Sequence, residues 1–169
     1  MDRPPNHDDA NLILRLYELR REPRMREARR WFVASFHASS IEDVQRICPP
    51  GSEEFASYRM ITSYWEMVAS FVANGVLHPE LFFQSGQELL LVWERIRELV
   101  PKARILQKNP KSLANLEQVA RAFQDWWKDR APDYYPAFQN MVHGGAWVKL
   151  EERPEEPPVP HTAETPHTD

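Results

Sequence analysis

The sequence predicts an all-α fold, a single irregular bundle of five to seven helices arranged around one buried central helix. Three observations lead there. Apolar residues recur at spacings of three and four through most of the chain, and no segment sustains the apolar–polar alternation of a half-buried strand. Proline and glycine act as punctuation between the periodic stretches, at Pro23, Pro49-Pro50-Gly51, Asn74-Gly75 and Asn109-Pro110. With 169 residues, 42% of them hydrophobic and 11% aromatic, the chain can bury one substantial core but not two.

The first helix is predicted to begin after Asp8 or Asp9 as N-cap, because Leu12, Leu16 and Leu19 fall on one face. Pro23 limits it and suits the first turn of a second helix, in which Met25, Ala28, Phe32 and Phe36 form the apolar stripe. Arg24, Arg26, Arg29 and Arg30 lie largely off that stripe; a kinked continuous helix is the alternative. Ser40 before Ile41-Glu42-Asp43-Val44 marks a short capped helix that stops at Pro49-Pro50-Gly51. Ser52 then caps the central helix, residues 53–74. Its lines Met60, Tyr64, Met67, Phe71 and Ile61, Trp65, Val68, Val72 are too many for one stripe, so other helices must cover it on most sides. Asn74-Gly75 is a left-handed stop.

His78-Pro79 opens a short helix carrying Leu81, Phe82 and Phe83, with His78 as its N-cap. After Ser85-Gly86, Leu89, Leu90, Trp93, Ile96 and Val100 define a longer helix that Pro101 interrupts or kinks. Asn109-Pro110-Lys111-Ser112 is a turn and cap. Leu113, Leu116, Val119, Ala120, Phe123 and Trp127 then give an amphipathic helix to about residue 130. A last aromatic piece, residues 133–142, is expected to be broken by Pro136. The domain is thus residues 9–143, with a flexible N-terminus at 1–8. Residues 144–169 are expected to be a disordered, acidic, Pro-rich tail, because from Glu151 onward apolar side chains are too few to offset the entropy of ordering.

A net charge of −4 gives no general affinity for polyanions, but the charge is uneven. Residues 15–30 carry seven Arg against three Glu, whereas residues 151–169 carry six acids against Arg153. Cys48 is the single cysteine, which excludes an intramolecular disulfide and a cysteine-based zinc site and suits a reducing compartment. The polar start lacks the apolar run of a secretory signal, and the run 67–73 is too short to span a bilayer, so a soluble, cytoplasmic protein is expected. His7, His37, His78, His143, His161 and His167 show no metal-ligand spacing. Phosphate-loop, dinucleotide and nucleophile-elbow signatures are missing, so no metal, cofactor or catalytic residue is assigned and the enzyme reading is disfavoured.

Two constellations remain. On the central helix Arg59, Thr62, Ser63, Glu66, Ser70 and Asn74 form a polar seam. Beside Trp65, the Glu66 carboxylate must find a partner, and a buried ion pair with Arg59 or with Arg26, Arg29 or Arg30 of the second helix is expected over an acid in a pocket. The second constellation, Arg20, Arg24, Arg26, Arg29 and Arg30, is a candidate polyanion surface. The alternatives are an ordinary solvated face with Glu18, Glu22 and Glu27 as local partners, or a face covered by the acidic tail. Of the aromatic pairs Phe82-Phe83, Trp126-Trp127 and Tyr134-Tyr135, adjacency on a helix turns one member of each outward unless short helices pack over both.

Tyr64-Trp65-Glu66, Ala69-Ser70-Phe71-Val72, Gly75 and Glu80-Leu81-Phe82-Phe83 resemble a family of small uncharacterised bacterial proteins classed as a domain of unknown function. Leu16-Tyr17-Glu18-Leu19-Arg20-Arg21-Glu22 and Ala28-Arg29-Arg30-Trp31 share the likeness, which covers roughly residues 10–100. The resemblance implies a compact helical fold of bacterial origin and carries no activity with it. The functional expectation is therefore a non-enzymatic interaction or regulatory protein that binds a protein partner or forms a homo-oligomer. The alternatives are nucleic-acid or phosphate-ligand binding through the Arg-rich second helix, and a small-molecule binder or enzyme with Glu66 in a cavity.

Overall fold

The computed structural model describes residues 3–144, and all of its regular structure there is helical. The helices are α1 (His7–Arg21), α2 (Pro23–Ser35), α3 (Ile41–Ile47), α4 (Glu53–Ala73), α5 (Pro79–Phe83), α6 (Glu88–Ile96), α7 (Val100–Leu106), α8 (Ala114–Arg130) and α9 (Tyr134–His143). The chain breaks cleanly at Pro23, which takes the first turn of α2 instead of kinking one long helix. Pro101 does the same for α7, where the sequence also allowed a kink. Pro136 does not break α9: it sits in the first turn, where its missing N–H has no intrahelical partner to lose. These placements give nine helices among the described residues where five to seven were expected. The tail beyond Gly144 lies outside the described residues.

α4 is the axis of the bundle, packed chiefly against α2 on one side and α8 on the other, with α6 behind it. Ile61, Trp65, Val68, Ala69 and Val72 are buried on it. Its cover is incomplete, however, because Arg59, Ser63 and Met67 face solvent along one edge. Met67, expected in the core, is 38% exposed. α6 is the opposite case: every residue from Leu89 to Ile96 is buried, including Glu94 and Arg95. Aromatic rings run continuously through the α5–α8–α9 side, Phe83 stacking on Phe123 at 4.4 Å between centroids and Trp127 on Tyr134 at 4.0 Å. Phe82 and Phe83 are both buried, because the five-residue α5 is enclosed between its neighbours.

The N-terminus is tied down by a polar knot. α1 starts two or three residues earlier than expected, with Asn6 as N-cap and Asp9 closing a capping box. The Asp9 carboxylate, fully inaccessible, accepts from Arg3 Nη2 at 2.7 Å, from the Asn6 N–H at 2.8 Å and from the His78 N–H at 2.8 Å. His78, expected as an N-cap, makes no side-chain cap; its Nε2 instead meets the Arg3 carbonyl at 2.8 Å. The Arg3 guanidinium, aided by those backbone N–H groups and opposed by burial, holds the Asp9 carboxyl far below the usual carboxylate range. Its folded pKa therefore lies below its unfolded one. The stabilisation is complete above the unfolded value of about 3.9 and is lost as the pH falls from there through the folded value. Asp9→Asn is expected to lower stability at neutral pH and to flatten the acid limb of the stability curve below about pH 4. Parallel acid limbs for the two proteins would contradict this.

Candidate functional site

Among the described residues Glu66 pairs with no arginine. Its face of α4 turns towards α8 and away from α2, and there it meets a helix that cannot cap itself. The residue before α8, Leu113, sits in the left-handed region at φ 55° and has no side-chain oxygen to offer. Glu66 supplies the missing acceptor from across the bundle: Oε1 takes the Asn115 N–H at 3.2 Å and its side-chain amide at 2.8 Å, and Oε2 takes the Leu116 N–H at 2.8 Å. A negative charge here also faces the positive end of the α8 dipole. This corrects the expected ion pair. Arg26 and Arg30 are exposed, Arg59 is exposed about two turns before Glu66 on the same face of α4, and Arg29 is engaged elsewhere.

Beside this cap lies an open groove of about 580 Å³ between α4 and the connection from α7 to α8, with Phe55, Tyr58 and Leu113 as apolar walls and Arg59 and Lys111 at its rim. Glu66 is the one acidic side chain lining it, and both of its oxygens are taken. Among the described residues Arg59 and Lys111 have no ion pair. Ile105 and Leu106 immediately precede the groove and are 77% and 66% exposed, the most exposed large apolar pair on consecutive positions of the described surface. No sequence signal singled them out, since an apolar pair at a helix end reads as buried until the turn that follows is known. That turn carries Lys108 at φ 51° and is fixed by Arg104, which donates Nε to the Ser112 carbonyl at 2.8 Å and pairs with Glu117 at 2.8 Å.

The arginine cluster is divided. Arg20 of α1 and Arg29 of α2 both bind Glu88, the first residue of α6, so that one carboxylate joins three helices. Arg20 also lies over the Trp65 ring at 5.4 Å. Arg24 pairs with Glu53 and Glu27. Of the five candidate polyanion residues only Arg26 and Arg30 have no ion pair among the described residues. The acidic tail that was weighed as a cover lies outside them. The aromatic pairs form no exposed face either: Trp126 donates to Glu80 at 2.9 Å and is covered by Arg130, and Trp127, Tyr134 and Tyr135 are half-buried in the ring ladder.

A second polar centre went unnoticed in the sequence. Glu94 is wholly buried on α6, where it accepts from the Tyr135 hydroxyl, from Gln139 Nε2 at 3.3 Å and from His143 Nε2 at 3.3 Å, with Arg97 Nε at 3.5 Å. Burial first, and Glu94 second, push the Tyr135 hydroxyl far above its usual pKa, so it keeps its proton and donates. Thus α9 is docked on α6 by three of its own side chains converging on one carboxylate. The signal existed: Glu94 follows Leu90 by four positions and Arg95 follows Leu91 by four, which places both charges on apolar lines. Among the described residues no cluster of His, Cys, Asp and Glu is arranged to hold a metal ion, and no helix is long and apolar enough to cross a membrane.

No curated protein and no solved structure matches the chain. A family model does, over residues 7–126, from the first turn of α1 into the last turns of α8, taking in Glu66, Glu88, the groove and Arg95 but not α9. The chain belongs to the family that this model defines, a domain of unknown function, DUF4760.

Proposed function

We propose that this chain is a non-enzymatic interaction protein whose groove between α4 and the α7–α8 connection receives an acidic, apolar-bearing segment of a protein partner. The observation that carries the reading is a rim of cations, Arg59 and Lys111, whose one neighbouring carboxylate is spent on capping α8, in a groove lined from Gln107 onward, directly after the exposed Ile105 and Leu106. An exposed apolar pair beside a groove marks a contact surface. Cations with no ion pair among the described residues favour an acidic occupant and deter a basic one. With both Glu66 oxygens held by N–H groups, the reading of Glu66 as an acid or base in a cavity loses its reactive group. The polyanion reading retains only Arg26 and Arg30 as uncommitted members of its cluster. The reducing cytoplasm is the compartment we assign on the strength of the lone, buried Cys48, and bacterial origin follows from the resemblance alone.

The test is capture of interacting proteins from the native host with the wild-type chain and with two variants, Ile105→Asp/Leu106→Asp and Arg59→Glu/Lys111→Glu. Because all four positions are at the surface, each variant is expected to stay within about 1 kcal/mol of wild-type stability. A protein with an acidic, apolar segment is expected to bind the wild type and to lose at least about tenfold in affinity to either variant. It should survive the step from low to physiological salt, unlike a nucleic acid held by phosphate contacts. Equal binding by all three chains, or recovery of nucleic acid alone, rejects the proposal.

A further inference from the structure

A half-open cavity of about 360 Å³ lies where the end of α2, the 36–40 connection, α6 and α9 meet, and it is lined by His37, Ala38, Ser39, Arg95, Glu98 and His143, with Glu94 at its base. Its unusual member is Arg95. The residue is 7% exposed, yet among the described residues no carboxylate comes within ion-pair distance of it. Its guanidinium donates to the Phe36 carbonyl at 3.2 Å, to the Val33 carbonyl at 3.4 Å and to the His37 ring, and its Nε–H has no partner. The carbonyls at the end of α2 offset part of the charge, as the negative end of a helix dipole does. They are partial charges facing a full one. Buried cations are otherwise paired with an anion, because the cost of desolvation is met only by a counter-charge.

The two acids in the cavity do not serve. Glu94 is committed to Tyr135, Gln139, His143 and Arg97, and Glu98 lies towards solvent beside Arg97 at 3.3 Å. Arg97 is thus the counter-ion of both carboxylates. Arg95 is the one of these charges with no opposite charge within ion-pair distance among the described residues. The His37 ring accepts from Arg95, and partial burial first and the neighbouring Arg95 second lower its pKa from the usual value, which disfavours the charged form that would compete for an anion.

We propose that this cavity binds the carboxylate of a small molecule whose remaining part is uncharged or cationic, with Arg95 as the anchoring residue. The guanidinium matches a planar carboxylate in shape and charge. Glu98, exposed in the same lining, sets the rest of the specificity with the buried charge of Glu94 behind it: the two acids attract an ammonium group or tolerate a neutral one, and they repel a second anion. Simple carboxylates should therefore rank by the charge of their far end, 4-aminobutyrate binding at least as well as propionate and succinate binding worse, with inorganic phosphate the weakest.

The test uses the full chain with nitrogen-15 label at constant ionic strength. The side-chain Nε–H signal of Arg95, assigned by its loss in Arg95→Lys, is followed as each of the four probes is added. A saturable displacement with 4-aminobutyrate and propionate, with midpoints on the order of 1 mM and accompanied by shifts at His37 and His143 but not at His7, is the expected result. Because Arg95→Lys also removes a tie to the end of α2, a second variant keeps Arg95 and fills the space: Ala38→Leu is expected to abolish the displacement. An Arg95 signal that does not move with either monocarboxylate, a displacement produced by phosphate or succinate alone, or a response unchanged in Ala38→Leu would overturn the assignment.

Discussion

Glu66→Ala is expected to lower the stability of the domain by about 3 kcal/mol, seen as a fall in the urea midpoint at unchanged slope. The figure follows from the cap. Three hydrogen bonds to a carboxylate disappear together, two of them from the second and third N–H groups of α8, and Leu113 cannot replace the acceptor. The charge that faces the α8 dipole goes with them. Glu66→Gln separates the two contributions, because the amide keeps one acceptor oxygen but no charge, and about half of the loss is expected. The same experiment distinguishes this role from the arginine pair that the sequence suggested. If Glu66 were an ion-pair partner of α2, Arg29→Met would cost as much as Glu66→Ala. With Arg29 bound to Glu88 instead, the two substitutions should be independent and their effects additive within about 0.5 kcal/mol. A midpoint for Glu66→Ala equal to the wild type removes the capping argument.

That substitution also shows where sequence reading succeeds and where it stops. The class of fold, the central helix and its stop at Asn74 are legible because they depend on spacing along one segment: Ile61, Trp65, Val68 and Val72 announce a buried face without reference to anything else. The need of Glu66 for a partner is legible in the same way, from its place next to Trp65. Which partner it takes is not, because that depends on the rotation of α4 relative to α2 and α8 and on the left-handed turn at Leu113, neither of which is local to residue 66. Glu88 is a sharper case. As the first residue of a helix it reads as ordinary first-turn acid, and only the approach of α1 and α2 makes it the anchor of Arg20 and Arg29. The arginine cluster, conspicuous in the sequence, reads there as a surface or as a source of partners for Glu66, whereas Arg20 and Arg29 form the joint between helices at Glu88.

Glu94 extends the argument to a carboxylate that the sequence left unremarked, and its removal is expected to have the largest effect in the protein. Glu94→Ala deletes the common acceptor of Tyr135 and Gln139 and a counter-ion of Arg97, and it leaves those groups facing an apolar hole beneath α9. Breaking a buried charge network from one side costs about 4 kcal/mol. The loss should not be spread evenly. α9 touches the rest of the bundle chiefly through α6 and α8, and among the described residues its polar ties to the body of α6 end on this residue, with Tyr134 bound besides to Gln87 at the α6 N-cap. Amide exchange in residues 134–143 is therefore expected to approach that of an open segment, while α4 and α8 keep slow exchange. Tyr135→Phe removes one arm and should cost about 1 kcal/mol by itself. In the Glu94→Ala background it should cost clearly less, since the hydroxyl has already lost its acceptor and keeps only the bond it accepts from Gln124 Nε2 at 2.6 Å, and that coupling is the quantity to measure. If Tyr135→Phe costs the same in both backgrounds, or if α9 stays protected without Glu94, then the aromatic stacking of Tyr134 and Phe138 holds the helix and the carboxylate does not.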